Sequence, residues 1–308
     1  MTTITFTAKA QETGMKLSVF LRRKGISLAR VRSLKYLPDG LTVNGAPARS
    51  NRQLQPGDVV ALNLPPEAAS VRPEDGPLAL VHEDADALVV NKPPGQVMHP
   101  SPSHHTGTLA NLYCGLMARR GAPGAFRPVG RLDGDTSGLV LCAKHAAAAP
   151  QLFRSMRKGY LALAGGLLPV GTEAVIAAPL MGCEDSAIRQ QVHPAGKPSR
   201  TRYQVLAAGG AASLVAVWPE TGRTHQIRVH FAHIGHPLLG DALYGGQAQH
   251  LSRHALHCAF LQFTPLDARP VAVSAPPPPD MLQAAVAAGI PRPALAAAIG
   301  DIKAVFTS

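Results

Sequence analysis

One stretch does most to limit how this chain can fold: Arg131-Leu132-Asp133-Gly134-Asp135-Thr136-Ser137-Gly138-Leu139-Val140-Leu141. Its first part sets two carboxylates among Gly, Thr and Ser, residue types that favour turns over regular structure. Its last part is a short apolar run that reads as a buried strand. A carboxylate at the lip of a strand is held by rigid backbone, which is where a reacting group is best placed. Taken alone, the segment also reads as an ordinary polar turn between two strands.

At 308 residues the chain is long enough for one substantial domain and a small one. Apolar residues make up 46% and charged residues 16%, the balance of a soluble globular protein, and no apolar run reaches the roughly 18 residues of a membrane span. The opening Met-Thr-Thr-Ile-Thr-Phe-Thr lacks a basic segment followed by an apolar core, so the expected location is cytoplasmic. Cys114, Cys142, Cys183 and Cys258 are scattered, which implies reduced thiols and neither a disulfide framework nor a zinc site. Net charge is the stronger signal. The chain carries +11, and residues 1–64 hold ten Lys and Arg against three acids, so a polyanionic partner and a basic accessory module are expected.

Within that module Leu17, Phe20 and Leu21 recur at helical spacing, and Gly25 stops the helix. A second helix is predicted over 28–37, with Val31, Leu34 and Leu37 on one side. Arg22, Arg23, Lys24, Arg30, Arg32 and Lys35 lie along these two helices with no acid between them. A hairpin at Asn44-Gly45 and a strand from Val59 complete a unit whose core spans 14–64. Residues 65–78, rich in Pro, Ala and acids, have linker composition. From 79 to 273 short apolar runs alternate with turns. Strands are predicted near 78–81, 87–91, 158–165, 174–179, 200–207, 213–218 and 256–263, and helices near 108–119, 146–157 and 225–234. Lys92 is expected in a loop. Residues 274–308 form a Pro- and Ala-rich tail with one or two short helices.

Several blocks carry a resemblance. Gly130 to Gly138 is similar to the His-Arg-Leu-Asp-x-x-Thr-Ser-Gly signature of the RluA-type pseudouridine synthases. Lys158-Gly159-Tyr160-Leu161-Ala162 resembles their Lys-x-Tyr-x-Ala motif, and Gly222-Arg223-Thr224-His225-Gln226-Ile227-Arg228 their Gly-Arg-Thr-His-Gln-Ile-Arg block. The order of basic helices, hairpin and strand in residues 14–64 resembles the RNA-binding domain first described in ribosomal protein S-four. The resemblance implies a mixed α+β catalytic domain with a largely antiparallel sheet, preceded by a small N-terminal α/β-hairpin RNA-binding domain.

It also implies roles for named residues: Asp133 as the catalytic carboxylate, Arg228 as its basic partner, and Tyr160 against the target base. Substrate contacts follow for Arg131, Thr136, Arg223 and His225, and RNA phosphate contacts for the six bases of the N-terminal helices. One position departs from the pattern. Gly130 stands where the family carries His, a residue read as supporting the catalytic Asp rather than reacting.

Isomerising uridine to pseudouridine breaks the N1–C1′ bond and rejoins the base through C5, so neither cofactor nor metal is implied. A carboxylate could attack C1′ or C6, or could remove the C2′ proton; each route starts from the ionised form. His225, His230, His233 and His236 invite a metal reading, but their spacing puts only some on one helix face and no carboxylate or cysteine lies among them. No phosphate-binding or dinucleotide glycine loop and no nucleophile elbow appears. The expected protein is therefore a monomeric RNA pseudouridine synthase, with large-subunit ribosomal RNA favoured over transfer RNA as substrate. A binding-only protein on the same fold is the rival, and it would be indifferent to replacement of Asp133.

Overall fold

In the computed structural model, which describes residues 2–267 and 269–307, the strands gather into two main sheets. The smaller is N-terminal. Strands β1 (Thr2–Thr7), β2 (Leu41–Val43), β3 (Ala46–Pro47) and β4 (Val59–Leu64) lie in the order β1-β4-β2-β3, and helices α1 (Leu17–Arg23) and α2 (Leu28–Leu34) pack against them. Leu17, Phe20 and Leu21 of α1 are fully buried, as the helical spacing requires, and Val31 and Leu34 of α2 join them. Asn44 and Gly45 turn the β2–β3 hairpin with positive φ at both residues.

Two details differ from the sequence reading. Helix α2 stops at Leu34, and Leu37 is exposed, because the residue before Pro38 is pushed out of helical conformation. Strand β1 was not expected. Its alternating Thr-Thr-Ile-Thr-Phe-Thr buries only Phe6 and pairs antiparallel with β4, from Thr2 opposite Leu64 to Thr7 opposite Val59.

The larger sheet has nine strands. They are β5 (Leu80–Glu83), β6 (Ala87–Lys92), β7 (Ser137–Ala143), β8 (Arg157–Gly165), β9 (Glu173–Ala177), β12 (Arg200–Gly209), β13 (Ala212–Pro219), β14 (Leu256–Phe263) and β15 (Val271–Ser274). The order is β5-β6-β7-β14-β8-β13-β12-β9, with β15 beside β14; β10 (Leu180–Gly182) and β11 (Gln190–Val192) form a separate hairpin. Every pair is antiparallel except β7 with β14, so the sheet is mixed and largely antiparallel. Lys92 ends β6 and is buried, rather than lying in a loop.

The parallel contact sets where the carboxylate loop goes. Gly138, at φ +113°, touches the backbone of Cys258 where any Cβ would collide with it, so only glycine lets β7 come alongside β14. The loop 131–136 is thereby delivered beside the start of β14.

Both faces of the sheet are covered. Tyr160, Ala162 and Ala164 of β8 face one core with α3 (Leu109–Arg119) and α4 (Ala149–Ser155), while Leu161 and Leu163 face a second core closed by the tail. Helix α3 is capped by Thr108, whose hydroxyl accepts the Asn111 N–H while Asn111 Oδ1 accepts the Thr108 N–H. The tail holds three helices where one or two were expected: α6 (Pro279–Ala287), α7 (Arg292–Ile299) and α8 (Ile302–Thr307). Phe306 stacks on Phe260 with ring centroids 5.5 Å apart, so the tail is part of the core. Residues 65–79 have no helix or strand but are strapped along α3: Asn111 Nδ2 donates to the Arg72 carbonyl, and Glu74 accepts from the Gly107 N–H. No described helix is long and apolar enough to cross a membrane.

Candidate active site

Asp133 sits in the loop ahead of β7, and its carbonyl accepts the Thr136 N–H at 3.2 Å to close a turn. Leu132 plugs into the core while the Asp133 side chain stays 32% exposed, so the carboxylate is open to solvent. Beside it stands helix α5 (Gln226–His233). Its start is locked by one side chain: Gln226 accepts from the Arg223 N–H and the Thr221 hydroxyl, and donates to the Arg200 carbonyl and Thr201 Oγ1. This anchoring fixes the two groups that α5 presents to Asp133, Arg228 Nη1 at 3.5 Å and His225 Nε2 at 3.8 Å.

Arg228 has a stronger partner than the one expected. Its Nε and Nη2 donate to Asp241 at 2.7 and 2.8 Å, a two-point bond to a fully buried carboxylate, and this leaves Nη1 free to face Asp133. Burial alone would lower the Arg228 pKa, but the bonds and charge of Asp241, with Asp133 behind them, raise it above its ordinary value. The guanidinium also lies over the Tyr244 ring, 5.0 Å from its centroid. The Tyr244 hydroxyl accepts the Gln190 N–H at 3.0 Å and bonds His225 Nδ1 at 2.8 Å. His225 holds a left-handed backbone at φ +54°, rare for a residue with a side chain, so the Tyr244 bond steadies a strained position. Sequence reasoning assigned no role to Asp241 or Tyr244. The available signal was that the family resemblance beginning at Gly222 runs on through His236-Pro237-Leu238-Leu239-Gly240-Asp241 to Tyr244-Gly245.

The other expected residues fall in different places. Tyr160, at 7% exposure, lies on β8 opposite Cys258 of β14; burial first, then the Cys258 and Asp133 charges, push its phenol pKa up. Arg131 is exposed beside His99, whose pKa falls through burial and then through the Arg131 charge. Arg223 is exposed and donates to the Pro198 carbonyl from Nε and Nη2. Thr136, expected against substrate, is instead buried with its hydroxyl 2.7 Å from His254 Nε2; it holds the loop from behind. Lys24, expected on RNA, is buried between Glu12 and Asp267 at 3.4 and 3.0 Å, so its charge is spent inside the protein. Arg22, Arg23, Arg32 and Lys35 are exposed and Arg30 half-buried.

Gly130 keeps φ at +89°, and a Cβ there would come within 2.8 Å of Lys158 Nζ. The space beside the missing family histidine is therefore filled by a lysine from β8.

Lys92 supports the same loop. Its ammonium donates to the carbonyls of Pro93, Gln96 and Gly134 at 3.0, 2.9 and 2.7 Å, which uses all three of its protons. Burial pulls its pKa down to about 8.

The histidines divide their bonds among separate partners. His230 bonds Thr201 and the Ala178 carbonyl, and His236 the Gly165 carbonyl. Among the described residues no group of three or more His, Cys, Asp or Glu could hold a metal ion. His254 and His257 are buried, and burial is the first cause that lowers their pKa values, to about 3 and about 4. Both are thus neutral near pH 7. The Ala275 carbonyl can only accept, so His257 carries its proton on Nε2 and takes the Ser137 hydroxyl proton on Nδ1.

These shifts set a pH dependence of stability. An unfolded histidine binds a proton near its ordinary pKa of 6.5, whereas the folded pair stays neutral down to about 3 and about 4. Unfolding therefore takes up protons below pH 6.5, and the stabilisation present above that pH is lost as pH falls. The urea midpoint should drop steadily from pH 6.5 to 4.5, and His254→Gln should remove about one proton from the slope. An unchanged slope in the variant would assign the titration to other groups.

Comparison with known proteins places this geometry. Residues 86–233, which contain Asp133, Tyr160 and Arg228, match the family model of RNA pseudouridylate synthase. Ribosomal large subunit pseudouridine synthase D of Escherichia coli is 31% identical over 303 residues, covering 91% of this chain and 92% of that protein. Among solved structures, human RNA pseudouridylate synthase domain containing 1 superposes with a TM-score of 0.54 at 31% identity, over 66% of this chain and 86% of its own. The uncharacterized RNA pseudouridine synthase YlyB of Bacillus subtilis is 38% identical over 298 residues, 92% of this chain and 97% of that protein. Likeness of this degree along nearly the whole length makes the chain a member of the RNA pseudouridine synthase family, an isomerase that acts on RNA.

Proposed function

We propose that this synthase isomerises uridines of large-subunit ribosomal RNA, with Asp133 as the catalytic carboxylate. One observation carries the reading: Asp133 is open to solvent while Arg228 Nη1, fixed by the two-point bond to Asp241, stands 3.5 Å away. A cation held in that place favours the ionised carboxylate that every route to the isomerisation requires. Tyr160 gives the site an aromatic ring for an extruded uracil, and Arg131, exposed next to Asp133, is placed to fill the gap the base leaves in the RNA stack. His225 and Arg223 flank the same site from the start of α5.

The ribosomal target is supported by the likeness to the Escherichia coli large-subunit enzyme and by the basic N-terminal residues 1–64. In this reading those residues are an RNA-binding module of the S-four type, set off near residues 65–78 from the catalytic domain, and the enzyme works as a cytoplasmic monomer. Arg22, Arg23, Arg30, Arg32 and Lys35 supply the phosphate contacts. Replacing Arg22, Arg23 and Arg32 together with Gln should weaken RNA binding and flatten the dependence of log affinity on log salt by about two to three. Filter binding across a salt series measures this, and an unaltered slope would remove the α1–α2 face from the interface.

The test of function is tritium release from RNA carrying 5-tritiated uridine, with ribosomal and transfer RNA assayed separately for wild type and Asp133→Asn. Release from ribosomal RNA alone, absent in the variant, is the expected result. Release from transfer RNA alone would overturn the target, and equal release by both proteins would overturn the assignment of Asp133.

A further inference from the structure

The loop that carries Asp133 is gripped at three consecutive residues, all from one short segment at the start of β14. Arg253 Nη1 donates to the Asp135 carbonyl at 3.1 Å, His254 Nε2 meets the Thr136 hydroxyl at 2.7 Å, and His257 Nδ1 accepts from the Ser137 hydroxyl at 3.0 Å. Arg253, His254 and His257 are all buried. Two of these grips are completed from behind by the C-terminal segment. The Arg253 guanidinium is oriented by Asp280, which takes its Nε and Nη2 at 2.8 and 3.0 Å, and His257 is oriented by the Ala275 carbonyl at 3.1 Å. Asp280 is itself held at the first turn of α6, where its carboxylate accepts the Met281 N–H at 2.7 Å.

Nη1 reaches the Asp135 carbonyl in the rotamer that Arg253 adopts. The planar fork allows the two-point bond to Asp280 to select that rotamer. The Asp135 carbonyl lies two residues from Asp133, so a change in the guanidinium plane passes to the catalytic carboxylate through a very short stretch of backbone.

We propose that the C-terminal segment 275–280 positions the active site, with Asp280 as a positioning residue that acts through Arg253 on the loop bearing Asp133. This rests on Asp133 being the catalytic carboxylate. Asp280 bonds Arg253 and not Asp133 itself, so its effect is on turnover and not on RNA affinity. A reacting group displaced by about 1 Å can cost on the order of a hundredfold in rate.

Four variants decide the matter in the full chain, with kcat, KM and melting temperature measured by tritium release and circular dichroism. Asp133→Asn controls the underlying reading: if it retains wild-type turnover, that reading fails and the positioning role fails with it. Asp280→Asn keeps volume and removes the charge that orients Arg253; the expected result is a kcat lowered about tenfold or more, with KM within about twofold. Asp280→Glu restores a carboxylate and should recover most of that loss. Leu295→Ala loosens the tail at α7 without touching the grip, and should lower the melting temperature while leaving kcat at the wild-type level. Wild-type kcat in Asp280→Asn beside an inactive Asp133→Asn overturns the positioning role alone. So does a set of kcat losses that simply follows the melting temperatures. Should Asp280→Asn not fold, Arg253→Lys, which keeps the cation and loses the fork, takes its place, and wild-type kcat there overturns the role in the same way.

Discussion

Asp133→Asn is expected to turn over no substrate, a loss on the order of ten-thousandfold or more in kcat, while RNA affinity stays within a few-fold of wild type. The amide has the same shape but cannot act as nucleophile or base. It also cannot pair with Arg228 as a charge, yet Arg228 remains satisfied by Asp241, so the fold around the site survives the change. The side chain is a third exposed and makes no buried hydrogen bond that the amide would break, which keeps the stability cost small. Single-turnover assays with saturating enzyme separate chemistry from binding. Turnover within tenfold of wild type would move the reaction to another group, and Asp135 is the next carboxylate in reach of the loop.

The second large effect is on stability. Arg228→Ala should cost about 3–5 kcal/mol, because it leaves the Asp241 carboxylate buried at 0% exposure with its two strongest donors gone. It also strips Asp133 of its nearest cation, so the folded fraction should be inactive. Asp241→Ala leaves the guanidinium with Asp133 alone and should cost a similar amount. The double variant, in which neither charge is stranded, should be markedly more stable than the sum of the two single losses. Urea midpoints for the three proteins measure this. Simple additivity would show that the pair is not coupled, contrary to the two-point bond.

Much of the fold and of the site could be read from the chain because some signals are local. The short apolar runs of the strands, the helix spacing of Leu17, Phe20 and Leu21, and the turn chemistry before β7 each depend on neighbours a few residues away. The blocks at 130–138 and 222–228 were legible through their resemblance to a known family, and the structure brings Asp133, His225 and Arg228 together. What stayed hidden depends on partners far along the chain. Thr136 meets His254, 118 residues away, because β14 inserts between β7 and β8 out of chain order. Nothing near Thr136 announces that it will be buried. Lys24 looks like its exposed neighbours in a basic run and differs because Glu12 and Asp267 close around it. Strand β1 carries just two apolar residues and acquires its identity from pairing with β4. The tail reads as low-complexity Ala and Pro until Phe306 is seen against Phe260.

The burial of Lys24 bears on how the two halves of the molecule act together. Its ammonium bridges Glu12 to Asp267, Arg154 donates to the Gly25 carbonyl at 3.3 Å, and Gly25 packs against Leu266. Residues 1–64 are thus bolted to the main body and are no bead on a flexible tether. A tethered bead would add affinity through effective concentration alone and would accept RNA in any orientation. A bolted one acts as a ruler. If the exposed arginines of α1 and α2 grip RNA, the distance and direction from that grip to Asp133 are fixed, and a uridine is modified only where the folded substrate spans the same gap.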